Sequence, residues 1–419
     1  MQIFRPRGTT DILPEEARKW QSIEEEIRNL CRIYGYGEIR TPVFEATDLF
    51  HRGVGETTDI VEKEMYTFLD KGNRSLTLRP EGTAPVARAY LENRLYAAPQ
   101  PQKLYYIGPM FRHDRPQAGR YRQFHQFGVE IFGAEDPAAD AEVITLAVEF
   151  FGRLGLTGLT LHLNSVGCPE CRPVIREKLV GYFEALIWKC CPDCRIRLAK
   201  NPLRLLDCKE EHCREVGRGA PNPLECLCVE CSAHFAQVRH YLDLLNIAYE
   251  LNPRLVRGLD YYTKTAFEIL IPGGGAQDAV GGGGRYDGLV GAIGGSPVPA
   301  VGFALGLERT LLLMKNKADP DAVAGPDAFV VLAGDTADAA TRLVARLRGA
   351  GLATDRDYTG RSLKAQMKYA GKVGARYVVI VGEDELEGGN VALKDMETGR
   401  QTEVLLEEVV ERLRRVLKK

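Results

Sequence analysis

The sequence predicts a mixed α and β protein of two or three domains, and three observations carry that reading. At 419 residues, 45% hydrophobic and 27% charged, the chain holds more apolar material than one core usually takes up. The stretch from Tyr106 to Gly133, YIGPMFRHDRPQAGRYRQFHQFGVEIFG, reads as two strands joined by a loop too polar and too rich in turn formers to continue either. Beyond residue 327 strand and helix patterns alternate, the mark of a small α/β domain with a mostly parallel sheet.

Composition narrows the function before any motif does. A net charge of -2 supplies no global field for nucleic acid, so any RNA contact must rest on local patches. The start, MQIFRPRGTTD, lacks an apolar h-region and no run approaches a membrane span, so a cytoplasmic address with no membrane partner is expected. Eleven cysteines in a chain this long point to reduced thiols or a metal site rather than a disulfide framework.

From Pro14 to Tyr34, Ala17, Trp20, Ile23, Ile27 and Leu30 recur at helical spacing, with Pro14 and two glutamates at the start and Gly35 at the stop. GYGEIRTPVFE follows as an extended segment whose Pro42 lacks a ladder donor and belongs on an edge or at a junction. SLTLRPEGTAPVARAY alternates at Leu76 and Leu78, then turns into a helix near Thr83. Glu81 therefore sits where a strand ends and a helix opens; by itself it reads as a capping residue.

Along the return strand of the Tyr106–Gly133 stretch, a period of two sends Gln126, Gly128 and Glu130 to one face and Phe127, Val129 and Ile131 to the other. The glycine removes a side chain where something else must come close. Arg112 precedes the loop, and Arg115, Arg120 and Arg122 lie in or after it. A solvated hairpin tip is one reading. An acid and an amide sharing a face with cationic neighbours suit a zwitterion with a phosphate beside it. Residues 138–154 then read as a helix.

Ten of the eleven cysteines fall between Cys168 and Cys231. Cys168 with Cys171, Cys191 with Cys194, and Cys228 with Cys231 are CxxC pairs, and Cys208 with Cys213 is slightly wider; such pairs can present two thiolates to one tetrahedral ion. Structural Zn²⁺, with Cys168, Cys171, Cys191 and Cys194 as candidate ligands, competes with buried unligated thiols.

NPRLVRGLDYYTKTAFEIL places an arginine beside two tyrosines, which alone could be a structural stack. Gly281 to Gly284 lead into RYDGL; four glycines let the backbone approach a flat ligand, and they match neither a Walker loop nor GxGxxG. VGFALGLERTLLLM is a strand running into a helix with Arg309 near its start. Residues 316–327 have the composition of a linker. In the helix from Ser362, Lys364, Lys368 and Lys372 share one face while Leu363 and Met367 look elsewhere, a stripe that is ordinarily just solvated.

Several of these strings together resemble one family. GPMFRHDRPQAGRYRQFHQFGVEIFG is similar to motif 2 of class II aminoacyl-tRNA synthetases, and to histidyl-tRNA synthetases in particular. GYGEIRTPVFE resembles motif 1, VGFALGLERTLLLM resembles motif 3, and RGLDYYT and RYDGL resemble two signatures of the histidyl family. The resemblance covers essentially the whole chain. It implies an α+β catalytic core over 1–320, an antiparallel sheet flanked by helices, with a Cys-rich insertion at about 168–235 and an α/β anticodon-binding domain over 327–419.

The reaction so implied is ATP-dependent activation of L-histidine to histidyl-adenylate and its transfer to tRNA(His), by a homodimer joined through motif 1. By resemblance Arg112 and Arg257 would meet the α-phosphate, Arg309 the γ-phosphate, and Mg²⁺ the leaving pyrophosphate. Glu81, Gly82, Thr83 and Gln126 would line the ammonium site, and Glu130, Tyr261 and Tyr262 the imidazole side. Arg115 and Gln117 would meet the tRNA acceptor end, and Lys364 and Lys368 would contact the tRNA from the anticodon-binding domain. A metal in the cysteine window is not part of the family's general pattern. One other function uses the same fold: an inactive paralogue that senses histidine as the regulatory subunit of ATP phosphoribosyltransferase. That paralogue lacks the anticodon-binding domain, and here the domain and the motif 2 and motif 3 arginines are all present.

Overall fold

The computed structural model describes residues 2–55, 58–271, 279–314 and 325–418, so most of the expected linker lies outside the described residues. The chain divides into two compact units, Met1–Asn316 and Lys317–Lys419.

The first unit begins α1 (Pro14–Ile33), β1 (Gly37–Glu38), β2 (Phe44–Ala46), α2 (Thr47–Val54), β3 (Tyr66–Leu69), β4 (Ser75–Leu78), α3 (Thr83–Glu92), β5 (Gln102–Phe111), β6 (Gln123–Phe132), α4 (Pro137–Arg153) and β7 (Thr160–Ser165). Four helices make the insertion: α5 (Cys171–Glu184), α6 (Pro192–Lys200), α7 (Glu211–Gly217) and α8 (Val229–Leu244). The unit closes with β8 (Glu250–Leu251), β9 (Thr263–Leu270), β10 (Ala279–Arg285), α9 (Leu289–Ala292), β11 (Ala300–Gly306) and α10 (Leu307–Met314).

Eight strands form one sheet in the order β1-β5-β6-β11-β10-β9-β7-β8. Its interior pairings are antiparallel, and only the edge pairs β1/β5 and β7/β8 are parallel. The period-two reading of β6 holds: Phe127, Val129 and Ile131 join Trp20, Ile23, Ile27 and Leu30 of α1 and Val143, Ile144 and Phe150 of α4 in one core. Each such side chain contributes about 1.5–3 kcal/mol on burial. α1 starts at Pro14 with Glu15 and Glu16 in its first turn, as its sequence signals require. The Asp140–Arg285 ion pair ties α4 to β10, with both side chains wholly buried. Pro42 lies at the junction between β1, on the edge of the large sheet, and β2, in a second sheet of order β2-β4-β3.

The second unit runs β12 (Ala328–Ala333), α11 (Ala337–Gly349), β13 (Thr354–Arg356), α12 (Leu363–Lys372), β14 (Tyr377–Gly382), α13 (Glu383–Glu387), β15 (Asn390–Asp395), β16 (Gln401–Leu405) and α14 (Val409–Leu417). Its sheet order is β13-β12-β14-β15-β16, and the expectation of a mostly parallel sheet fails for its second half. β12 pairs in parallel with β13 and β14, whereas β14/β15 and β15/β16 are antiparallel. Between β15 and β16, Asp395 Oδ1 accepts hydrogen bonds from the amides of Glu397 and Thr398, and Gly399 at φ +71° reverses the chain. That connection is far too short for the crossover a parallel pair demands.

Candidate active site

The face of the large sheet opposite the α1/α4 core is built from residues with almost no side chain. β6 presents Gln126, Gly128 and Glu130; opposite them on β11 stand Gly306, Ala304 and Gly302, and the next strand continues with Gly282 and Gly284. This bare floor has two uses. A Cβ at Gly302 would sit 1.9 Å from Glu130 Oε2, and one at Gly282 would sit 2.7 Å from an Arg257 guanidinium nitrogen. Real side chains cannot approach so closely, so glycine lets a carboxylate and a guanidinium lie down on the sheet. Gly128 behaves differently from the expectation, because the group that comes close is the protein's own Tyr106, whose ring also lies against Gly82.

Around Glu130 the polar groups converge. Thr83 Oγ1 donates to its Oε1 at 2.8 Å, the Tyr106 hydroxyl donates to the same oxygen at 3.4 Å, and the Tyr286 hydroxyl donates to Oε2. Burial pushes the Glu130 carboxyl up to about 8 despite those donors. Glu81 is also buried, and burial raises its carboxyl too. Its Oε2 accepts from the Thr83 amide at 2.7 Å and its Oε1 from the Ala84 amide at 2.9 Å, so it caps α3 as its position suggested. The Tyr261 hydroxyl reaches Oε2 at 3.5 Å. Two carboxyl groups thus meet through Thr83, in a box walled by Tyr106, Tyr261, Tyr262 and Tyr286. Gln126 stands two residues before Gly128 on the same face, and its buried Oε1 has no hydrogen-bond partner.

Beside this box a cleft of about 1640 Å³ is lined by Arg112, Phe124, Gln126, Arg257, Glu268 and Arg309 among others. Arg112 donates from Nε to the Pro80 carbonyl at 2.8 Å and lies over the Phe124 ring. Arg257 donates to Glu268 Oε1 at 2.6 Å, its centre is 6.0 Å from the Tyr262 ring, and its buried Nε has no partner. Burial is the largest influence on Arg257 and pulls its pKa down, but the Glu268 carboxylate together with Tyr262 and Tyr261 outweighs it and holds the guanidinium above its ordinary value. Arg309, in the first turn of α10, donates to the Gly119 and Ala279 carbonyls. Three arginines far apart in sequence therefore line one cleft.

Not every expected residue joins this constellation. Arg115 and Gln117 stand exposed in the loop between β5 and β6, where Gln117 bridges Arg120. Lys364 and Lys368 are exposed on α12 of the second unit, with Met367 turned to that unit's core. The four cysteines considered as one ligand set do not meet: Cys168 and Cys171 gather with Cys228 and Cys231, and Cys191 and Cys194 gather with Cys208 and Cys213. Spacing within a pair is local, whereas the partner pair is chosen by how α5 to α8 fold. Three side chains escaped sequence reasoning: Glu268, Tyr106 and Tyr286. Tyr286 belongs to the RYDGL string, and Tyr106 is two residues before Gly108 on the strand facing Gln126 and Gly128, so period two on β5 was the missed signal.

Comparison with known proteins gives a consistent answer. The family model described as histidyl-tRNA synthetase matches residues 8–170 and 224–310, and that of an anticodon binding domain matches 327–416. The chain is 71% identical to a histidine–tRNA ligase of Desulforudis audaxviator (strain MP104C) over 99% of each chain. It is 60% identical to that of Pelotomaculum thermopropionicum over 99% of this chain and 98% of the relative. The crystal structure of apo S. aureus histidyl-tRNA synthetase superposes with a TM-score of 0.83 at 43% identity, covering 98% of this chain and 100% of that one.

Proposed function

The chain belongs to the histidyl-tRNA synthetase family, and from that premise we propose which of its residues carry out the reaction. The activity is ATP-dependent attachment of L-histidine to tRNA(His) through a histidyl-adenylate. The observation that carries the assignment of roles is the Glu81–Thr83–Glu130 constellation, a doubly acidic box opening beside three arginines. The histidine-sensing regulatory subunit is set aside, since the full-length relatives are ligases and an anticodon-binding domain is present.

Activation needs little proton chemistry. The histidine carboxylate is already ionised and attacks the α-phosphate in line, so positioning and cations aimed at the growing charge supply the rate. Arg112 and Arg257 hold the α-phosphate and Arg309 the γ-phosphate. Mg²⁺ borne by ATP would neutralise phosphate charge there. The carboxylates on this wall fit an ion borne by the nucleotide better than one in a protein cage, because Glu268 is paired with Arg257 and Glu308 accepts from the His125 amide at 2.9 Å.

Glu81, Thr83 and Gln126 hold the histidine ammonium above Gly82. Glu81 can cap α3 and bind the ligand together, since each carboxylate oxygen has a second lone pair. Glu130, Tyr261 and Tyr262 face the imidazole. Arg115 and Gln117 meet the acceptor end, and Lys364 and Lys368 contact the tRNA elsewhere. Val43, Phe44, Phe68 and Leu69 stand exposed on and beside the β2-β4-β3 sheet, which supports a homodimer joined there. Among the described residues no helix is long and apolar enough to cross a membrane, and a cytoplasmic address goes with a tRNA substrate. A structural zinc in the insertion completes the reading. Histidine-dependent ATP–pyrophosphate exchange tests the core of it: exchange with histidine alone supports a synthetase, and histidine binding without exchange supports a sensor instead.

A further inference from the structure

The insertion has a small apolar core dominated by cysteine. Of the twelve buried residues in its apolar cluster seven are cysteines, leaving Ile175, Leu179, Phe183, Leu205 and Leu206. Segments this poor in aliphatic burial are normally stapled by disulfides or metal. All eleven cysteines are free thiols.

Eight of them form two separate clusters, and within each the four Sγ atoms lie within 4.8 Å of one another. A tetrahedral ion with metal–sulfur bonds of about 2.3 Å requires sulfurs about 3.8 Å apart. Cys168 and Cys171 are 3.7 Å apart, Cys168 and Cys228 3.8 Å, and Cys191 and Cys208 3.9 Å.

Both clusters aim the same backbone donors at sulfur. The Cys228 amide points at Cys171 Sγ (3.1 Å) and the Cys231 amide at Cys228 Sγ (3.4 Å). In the other cluster the Cys191 amide points at Cys213 Sγ (3.1 Å) and the Cys194 amide at Cys191 Sγ (3.4 Å). Cys228 and Cys191 occupy the N-cap positions of α8 and α6. Amides and helix N-termini stabilise anionic sulfur far more than a neutral thiol, and four thiolates together require a cation. We propose that the insertion holds two tetrahedral Cys₄ zinc sites, one of Cys168, Cys171, Cys228 and Cys231 and one of Cys191, Cys194, Cys208 and Cys213, with separate tasks.

The first site closes the insertion where it leaves and rejoins the catalytic sheet. Next to its ligands, Arg172 donates to the Tyr262 carbonyl and Glu230 pairs with Lys264 at 2.7 Å, so this site grips the turn that carries Tyr262. The second site closes the 191–213 loop. Within that loop Arg197 and Arg204 reach Asp59 at 3.1 and 3.0 Å and Lys200 reaches Glu62 at 2.8 Å, holding one wall of the cleft.

The metal count does not depend on the synthetase reading; the kinetic arm rests on it. Protein purified without chelator should contain two zinc ions per chain, and replacement by Co²⁺ should give the visible absorption of tetrahedral thiolate coordination. Cys171→Ser/Cys231→Ser and Cys194→Ser/Cys213→Ser should each retain one. The first pair should raise KM for histidine by about tenfold, the usual size of an outer-shell disturbance, and the second should move it by less than about twofold. One metal per chain, none, iron in place of zinc, or octahedral cobalt spectra overturn the two sites, and equal KM effects overturn the division of tasks. If the variants aggregate, the wild-type count and cobalt spectrum decide the matter. Two zinc ions with no histidine-dependent exchange would sink the synthetase reading alone.

Discussion

Thr83 donates to both acids of the buried box, its hydroxyl to Glu130 Oε1 at 2.8 Å and its amide to Glu81 Oε2 at 2.7 Å. A residue at the first turn of α3 thereby couples the helix cap to the strand β6.

Glu130 should make the protein less stable as pH rises. Burial lifts its carboxyl to about 8, against an ordinary value of 4.5. A group raised in the folded state stabilises fully below its unfolded pKa and loses that contribution as pH climbs through the folded one. The loss therefore runs from about pH 4.5 to about pH 8. Glu130→Gln keeps the shape and cannot ionise, so its Tm should gain on that of the wild type across this window and level off above it, by about 2 °C or more. A constant Tm difference from about pH 5 to about pH 9 would refute it. Histidine-dependent exchange in the same variant should fall at least about a hundredfold, because the glutamine NH2 stands where a carboxyl oxygen accepts from Thr83, Tyr106 or Tyr286 and disturbs the donor pattern of the box.

Glu81 carries two roles that one pair of substitutions can separate. Glu81→Ala removes the α3 cap and should cost about 1 kcal/mol of stability, besides raising KM for histidine. Glu81→Gln keeps one acceptor oxygen for the helix and loses the charge, so it should recover most of the stability but little of the histidine affinity. Recovery of both by glutamine would mean that the residue is only a cap.

Legibility in the sequence followed the range of the forces involved. Period two placed the core face of β6, Pro14 and the glutamates placed the start of α1, and the switch at Thr83 placed α3, because these signals lie within a few residues. The CxxC pairs were equally plain. What joined Cys171 to Cys228 rather than to Cys194 was not, since that choice is made by the packing of four helices. For the same reason Glu268 passed unnoticed: only pairing with β10 sets it under Arg257. The strand β16 leaves little signal in the sequence because Gln401–Leu405 is an edge strand with polar alternation and one partner.

The α12 lysines can be tested by salt. Lys364→Ala/Lys368→Ala should weaken tRNA binding, leave adenylate formation unchanged, and lower the slope of log K against log salt by about one unit for each phosphate no longer neutralised. An unchanged slope would mean the stripe is only solvated.

The exposed apolar residues near motif 1 make the proposed homodimer a matter of surface chemistry. Phe44 is 47% and Leu69 63% exposed in the single chain. If a second copy covers them, Phe44→Asp/Leu69→Asp should give monomers in sedimentation at micromolar concentration. A wild type that is already monomeric and fully active would remove the interface.

Arg257 and Glu268 offer the sharpest separation of a catalytic from a positioning role. If Arg257 stabilises charge that grows on the α-phosphate, Arg257→Ala should lower kcat for adenylate formation on the order of a hundredfold or more with little change in KM for ATP. Glu268 pairs with the guanidinium at 2.6 Å, so Glu268→Gln should keep a hydrogen bond to it and lower kcat by about tenfold, still with KM for ATP nearly unchanged. Because Glu268 acts through Arg257, the double variant should be no slower than Arg257→Ala alone. Single-turnover rates decide the case. Multiplicative losses in the double variant would show that Glu268 acts on the substrates directly, and a pure KM effect from Arg257→Ala would show that the arginine only binds ATP.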